Sequence, residues 1–383
     1  MKRNLLVITS IVLFLLSFMV SYGQDYTLTW DGLTRYYRVH VPSTYSSSTP
    51  TPVIIVMHGG FGSGTQIETQ SQLSIKADQE GFIVVYPDGV KSGLGIRTWN
   101  ADGCCGYAQT NNIDDVGFIN NLLDTIINKY NIDTDKIYAS GMSNGAFMSY
   151  RLACELSTRF AAIASVSGTM NVQNCLPTRQ VPVIHFHSYL DGSVPYLGGI
   201  GSGPSNHYNP PIDSVLNVWK SKNSCTVVDT VQNDSDLLHV VWSSCQCDNK
   251  LELYLTHDGG HSWHGGQKTA TGNDVSNMVS ANDKMWSFFQ ANPLCPVSTN
   301  EHSDKQVTVT PNPFSNNFKV HLKTGTVAQK YYLYNTLGKI ETMRNLSNKA
   351  NKFQISTQYL PIGLYYLIVQ SDTGLLTIKV VKN

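Results

Sequence analysis

Lys136-Ile-Tyr-Ala-Ser140-Gly-Met-Ser143-Asn-Gly145-Ala-Phe-Met-Ser-Tyr150-Arg-Leu contains two kinds of local structure and the joint between them. Lys136–Ala139 reads as a short buried strand, and the segment from about Asn144 to Leu156 as a helix. Gly141-x-Ser143-x-Gly145 lies between them. A strand that turns this sharply into a helix forces strained backbone angles on the serine. Flanking side chains must also be absent for that serine to protrude, which is why both neighbours at this spacing are glycine.

The same grammar extends outward. Continuous apolar runs occur at Val53–Met57, Phe82–Tyr86, Ala161–Val166, Val181–Phe186 and Leu251–Thr256. Helical periodicity separates several of them. Val116, Ile119, Leu123, Ile126 and Tyr130 recur at helix spacing behind Asp114 and Asp115, which read as helix caps. A last helix is expected at about Val279–Gln290. Short buried strands alternating with helices predict an α/β fold, a mostly parallel sheet with helices on both faces. Before this body, alternating residues flank Asp31-Gly32, a hairpin turn signal. After it, residues 293–308 read as a linker. Residues 309–383 alternate throughout and predict a small all-β sandwich.

Composition narrows the partners. The chain has 383 residues, 14% of them charged, with a formal net charge of zero. Nucleic acid is an improbable partner, because phosphate binding needs a basic surplus. Lys2-Arg3, the apolar run Leu5–Val20 and the small residues before Gln24 read as a secretory signal peptide over residues 1–23. That run is shorter than the ~20 residues of a spanning helix, and no later segment is suited to cross a bilayer. All eight cysteines follow the leader, so disulfides are expected, with Cys225 to Cys245 or Cys247 as one pair.

A serine hydroxyl needs a base to become a nucleophile. His261, in Gly259-Gly-His261-Ser-Trp263, follows the run Leu251–Thr256. Asp191 follows Val181–Phe186 and would orient the imidazole. The chain order Ser143, Asp191, His261 is that of α/β-hydrolases, and each member follows a strand's carboxyl end. His58 and His187 read as packing residues at strand ends. Asp88 ends a strand too, but precedes the serine. His257, His261 and His264 do not form a metal site, because Gly259 and Gly260 break any helix that would align them; neither metal nor cofactor is expected. An oxyanion would be met by the backbone N–H of Asn144 and by Gly60, in His58-Gly-Gly60-Phe61. Trp99 and Trp263 are candidate substrate-binding faces, with ordinary core packing as the alternative.

Met57-His-Gly-Gly60, Thr98-Trp-Asn100, Cys104-Cys-Gly106, Asp114-Asp-Val-Gly-Phe118, Gly141-Met-Ser-Asn-Gly145, Val194-Pro-Tyr196 and Gly260-His-Ser-Trp263 together resemble the polyhydroxybutyrate depolymerase and feruloyl esterase group of carbohydrate esterase family one. The likeness runs over about residues 25–292, and the domain is expected at 24–292. It implies a serine esterase acting through an acyl-enzyme on feruloyl or acetyl esters of plant cell-wall polysaccharides. It implies the same three catalytic positions. The chain departs from the family pattern at Gly60, where cysteine is frequent, at Ser188, where glycine is usual, and at His264, where proline is frequent. An extracellular polyester depolymerase is the alternative reading, and a noncatalytic surface binding protein a third. Thr310-Pro-Asn-Pro-Phe314, Leu360-Pro-Ile-Gly-Leu-Tyr365 and Lys379-Val-Val-Lys382 resemble the sorting domain of the type nine secretion system. That resemblance implies export across an outer membrane by secretion machinery and a secreted or cell-surface location. A carbohydrate-binding sandwich is the competing reading of this module.

Overall fold

The apolar runs assemble into one ten-stranded sheet in the computed structural model, which describes residues 23–203, 206–270, 272–295, 307–335, 340–372 and 374–383. Its strands are β1 (Gln24–Trp30), β2 (Leu33–His40), β3 (Thr51–Met57), β4 (Ile83–Pro87), β5 (Ile132–Met142), β6 (Ala162–Val166), β7 (Val183–Ser188), β8 (Val227–Asn233), β9 (Leu237–Ser243) and β10 (Leu251–Thr256). Their order across the sheet is β1-β2-β4-β3-β5-β6-β7-β10-β9-β8. The six central strands from β4 to β10 run parallel. The hairpins β1–β2 and β8–β9 add antiparallel edges. Asp31 and Gly32 both take positive φ, 50° and 71°, as the tight turn between right-twisted strands requires.

Among the described residues there are seven α-helices: α1 (Gly64–Ser71), α2 (Leu73–Glu80), α3 (Gly106–Thr110), α4 (Asp115–Lys129), α5 (Asn144–Glu155), α6 (Ile212–Lys222) and α7 (Ala281–Ala291). Strand β3 shows why its run is apolar throughout. Val53, Ile55 and Met57 join Phe118, Met148 and Trp219 in one core cluster. Ile54 and Val56 join Leu73, Met285 and Phe289 in another. Successive side chains point to opposite faces, and both faces are buried, so no polar alternation survives. The edge strand β8 is the converse. All seven of its residues are exposed, and no continuous apolar run announces it.

Four disulfides tie this unit: Cys104–Cys105, Cys154–Cys175, Cys225–Cys245 and Cys247–Cys295. Of the two partners open to Cys225, Cys245 is the one bonded. No described helix is long and apolar enough to cross a membrane. The expected leader residues 1–22 and most of the expected linker lie outside the described residues.

The chain divides between residues 295 and 296. The second unit is two antiparallel sheets. One holds Val307–Thr310, Asn317–Leu322 and Lys352–Ser356; the other holds Ile340–Ala350, Ala328–Asn335, Gly363–Ser371 and Gly374–Lys382. Phe318, Val320 and Ile355 from one sheet meet Leu333, Leu367 and Val380 from the other in a buried core. The chain's end is clasped to the start of this unit. The Phe314 N–H donates to the Val381 carbonyl and the Asn383 N–H to the Phe314 carbonyl, while Asn312 Oδ1 accepts from the Val381 N–H.

Candidate active site

Ser143 stands between β5 and α5 with φ 54° and ψ −126°, a conformation costly for any residue with a side chain. The flanking glycines are required by contact. A Cβ on Gly141 would lie 2.4 Å from the Gly145 backbone, and one on Gly145 would lie 2.1 Å from the Met57 carbonyl oxygen. The turn is locked from both sides. The Ser143 N–H donates to the Val166 carbonyl, and the Ser143 carbonyl accepts from Ala146 and Phe147 as α5 begins.

Asp191 lies in the loop after β7, buried, and His261 in the loop after β10. His261 Nδ1 donates to Asp191 Oδ2 at 2.8 Å. The other carboxylate oxygen accepts from the backbone N–H groups of Ser193 and Val194, at 2.9 and 2.8 Å. Burial on its own raises the carboxyl, but the His261 imidazole and the Val194 amide that hydrogen-bond it act the other way, and Asp191 is held below the usual carboxylate range. With Nδ1 carrying the proton, Nε2 of His261 is the ring's basic atom. Ser143 and His261 line one cavity of about 710 Å³.

The loop after β3 also lines the cavity. Phe61 donates its N–H to the Arg97 carbonyl, and Gly62 to that of Gly59. The Gly59 and Gly60 amides have no protein acceptor among the described residues. A Cβ on Gly59 would sit 3.2 Å from the Ser143 Cβ, while Gly60 has nothing within 4 Å at that point. Gly60 and Asn144 both line the cavity. The Asn144 N–H opens α5, so the positive end of the helix dipole lies there.

Both tryptophans depart from the expected role. Trp99 is fully buried, donates Nε1–H to the His58 carbonyl at 3.0 Å, and exchanges two backbone hydrogen bonds with the Asn144 amide side chain, at 2.7 and 3.0 Å. It braces the glycine loop and the serine turn from behind. Trp263 is also fully buried, with Nε1–H on Oδ1 of Asn282, in the first turn of α7, at 2.9 Å. Its neighbour His261 faces the cavity while the chain carries Trp263 into the core. Besides His261, the rings that line the cavity are Phe61, Tyr107, Phe147 and His207. Phe61 is 60% exposed although its backbone sits at φ 69°. Its place straight after the glycine pair is the signal that sequence reading passes over.

The rival groups have other partners. His58 donates Nδ1–H to the Gly59 carbonyl and accepts the Gly89 N–H at Nε2; burial lowers it to about 4. Asp88 accepts from the Gly64 N–H and pairs with Arg97. Asp114 caps α4 through the Gly117 N–H. Asp115, its neighbour, is instead fully buried against Arg35 at 2.6 Å. His257 is exposed, and His264 is buried, with its Nε2 3.4 Å from the Thr256 hydroxyl.

A parallel-centred sheet with a strained serine at one strand end and a buried Asp–His pair beyond two others has the α/β-hydrolase fold. More particularly, residues 36–195 match the family described as Esterase PHB depolymerase, and residues 308–383 match the secretion system C-terminal sorting domain. Feruloyl esterase B of Piromyces equi is 29% identical over 239 residues, 58% of this chain and 42% of that protein. Feruloyl esterase C of Emericella nidulans is 26% identical over 280 residues, 70% of this chain and 90% of that protein. The chain spans 23% and 50% of two further curated relatives, so with the Piromyces protein it covers half or less of three of them. An acetyl xylan esterase structure from Aspergillus awamori aligns at 17% identity with TM-score 0.49, covering 70% of this chain and 99% of that one.

Proposed function

We propose that this protein is a secreted serine carboxylic ester hydrolase that removes feruloyl or acetyl groups from plant cell-wall polysaccharides through an acyl-enzyme. The observation that carries it is the 2.8 Å Asp191–His261 hydrogen bond opening onto the cavity that also holds the strained Ser143. His261 Nε2 takes the Ser143 proton as the oxygen attacks the ester carbonyl. Asp191 keeps the imidazole in its Nδ1–H tautomer and stabilises the imidazolium once formed. The N–H groups of Gly60 and Asn144 receive the oxyanion. Collapse expels the sugar hydroxyl with the proton from His261, and water then repeats the sequence to release the acid. The similarity to feruloyl esterases supports the acyl class.

Export follows from the sorting domain, with residues 1–23 as the leader and secretion machinery as the partner. A polyester depolymerase is the second reading, favoured by the family matched over residues 36–195 and by the exposed Phe61 at the cavity. Hydrolysis of methyl ferulate, para-nitrophenyl acetate and a hydroxybutyrate oligomer by wild type and Ser143→Ala separates these. The expected outcome is ferulate and acetate cleavage by wild type and a loss of about 10⁴-fold or more in the variant. Preference for the oligomer selects the second reading. Inactivity of wild type on all three returns the protein to the binding class.

A further inference from the structure

Strand β7 carries two buried histidines on one face, His185 and His187, separated by Phe186, which packs on the other face. Three hydrogen bonds link them to each other and to their surroundings. Tyr150 Oη lies 2.8 Å from His185 Nδ1. His185 Nε2 lies 3.1 Å from His187 Nδ1. His187 Nε2 lies 2.8 Å from the Val194 carbonyl oxygen.

With both rings neutral, only one arrangement of protons satisfies all three. A carbonyl oxygen accepts and never donates, so His187 Nε2 must carry a hydrogen. A neutral His187 then presents a bare Nδ1, which obliges His185 Nε2 to donate. His185 Nδ1 is bare in turn, and the Tyr150 hydroxyl must donate to it. Every hydrogen bond points the same way, from α5 through β7 to the loop after it. Burial pushes both histidines below their ordinary range, as neutrality requires.

The two ends of this chain are informative. Tyr150 belongs to α5, the helix that starts immediately after Ser143. Val194, at the other end, donates its own N–H to Asp191 Oδ1 at 2.8 Å. His187 Nε2 also stands 3.6 Å from Asp191 Oδ2, the oxygen that receives His261. The Val194 residue is thereby held at its carbonyl by His187 while its amide holds the carboxylate.

We infer that Tyr150, His185 and His187 form a one-way hydrogen-bond chain that ties the serine-bearing helix to the Asp191 loop, with His187 as a positioning residue for the Asp191–His261 pair. Its catalytic consequence rests on the triad reading above, but the chain's geometry does not. His187 touches no substrate, because it lies wholly beneath the surface behind Asp191.

The test compares His187→Phe, His187→Gln and Tyr150→Phe, each read twice. Glutamine can donate from its amide where His187 Nε2 does; phenylalanine cannot. In protein labelled with ¹⁵N at histidine, the His261 Nδ1–H resonance reports the Asp191 hydrogen bond whether or not any ester is cleaved. It should persist with glutamine and be displaced or broadened with phenylalanine. On the best ester, kcat should fall about tenfold or more in His187→Phe, remain within about threefold in His187→Gln, and leave KM within about twofold in both, since misplacement of a catalytic group acts on the chemical step. Tyr150→Phe, which keeps the ring, should lower kcat by about threefold and decides the matter if His187→Phe does not fold. An unmoved resonance in His187→Phe, or glutamine behaving like phenylalanine, overturns the inference. If wild type cleaves no ester while the resonance moves as expected, the chain stands and the esterase reading falls.

Discussion

Two adjacent glycines in the loop after β3 have different jobs. Gly59 is a glycine because the serine leaves it no room: its Cβ would lie 3.2 Å from that of Ser143. Gly60 is free of such contact. Gly59→Ala is therefore expected to lower kcat about tenfold or more by displacing Ser143 or the loop's amides. Gly60→Ala should keep kcat within about threefold, since its backbone N–H survives the substitution. Steady-state kinetics on para-nitrophenyl acetate checks both, and equal losses would show that the Gly60 amide is moved as well. Trp99 teaches a similar lesson at one remove. Its ring is buried and its backbone is bridged by the Asn144 side chain, so its influence on an ester would pass through the serine turn rather than through stacking.

At the start of α4, neighbouring aspartates have different partners. Asp114 Oδ1 accepts from the Gly117 N–H at 2.9 Å at the exposed helix start. Asp115 is enclosed, paired with Arg35 at 2.6 Å, and accepts the Asn100 N–H at 2.8 Å. Arg35 in turn lies over the Phe118 ring. Burial raises the Asp115 carboxyl and lowers the Arg35 guanidinium, the mark of two ions that exist there only as a pair. Asp115→Asn strands a guanidinium in the core and should cost roughly 3–5 kcal/mol, whereas Asp114→Ala should cost about 1 kcal/mol, the value of a helix cap. Urea unfolding of both variants measures the difference, and similar losses would mean that the Arg35 charge finds another partner. In sequence both aspartates look like caps, because helix periodicity shows where a helix starts and not which of its first residues faces the sheet.

Across the whole hydrolase unit, buried neutral histidines set an acid limit. Burial lowers His58 and His264 each to about 4, and lowers His185 and His187 as well. The unfolded chain titrates its histidines near 6.5. Between about 4 and 6.5 the unfolded state thus binds protons that the native state does not, so stability falls as pH is lowered through that window. At about 1.4 kcal/mol per pH unit for each such group, His58 and His264 together remove roughly 6 kcal/mol by pH 4. Tm should decline steeply from pH 6.5 to pH 4, and a flat curve over that range would place these histidines in water.

What can be read in the chain alone is what neighbours in sequence dictate. Gly-x-Ser-x-Gly between a strand and a helix states its geometry, because the steric demand is made within five residues. Asp31-Gly32 states its hairpin for the same reason, and the apolar runs state a sheet buried on both faces. The order of Ser143, Asp191 and His261, each after a strand, nominates a site. Tertiary structure decided what depends on segments far apart. It brought His261 to Asp191 at 2.8 Å, paired Cys225 with Cys245, turned Trp99 and Trp263 inward, and left Phe61 to face the cavity. It also aligned Tyr150, His185 and His187, whose shared direction follows only once the Val194 carbonyl is in place. Local steric rules act over a few residues, whereas the side of a chain that meets solvent, cavity or core is set by what packs against it.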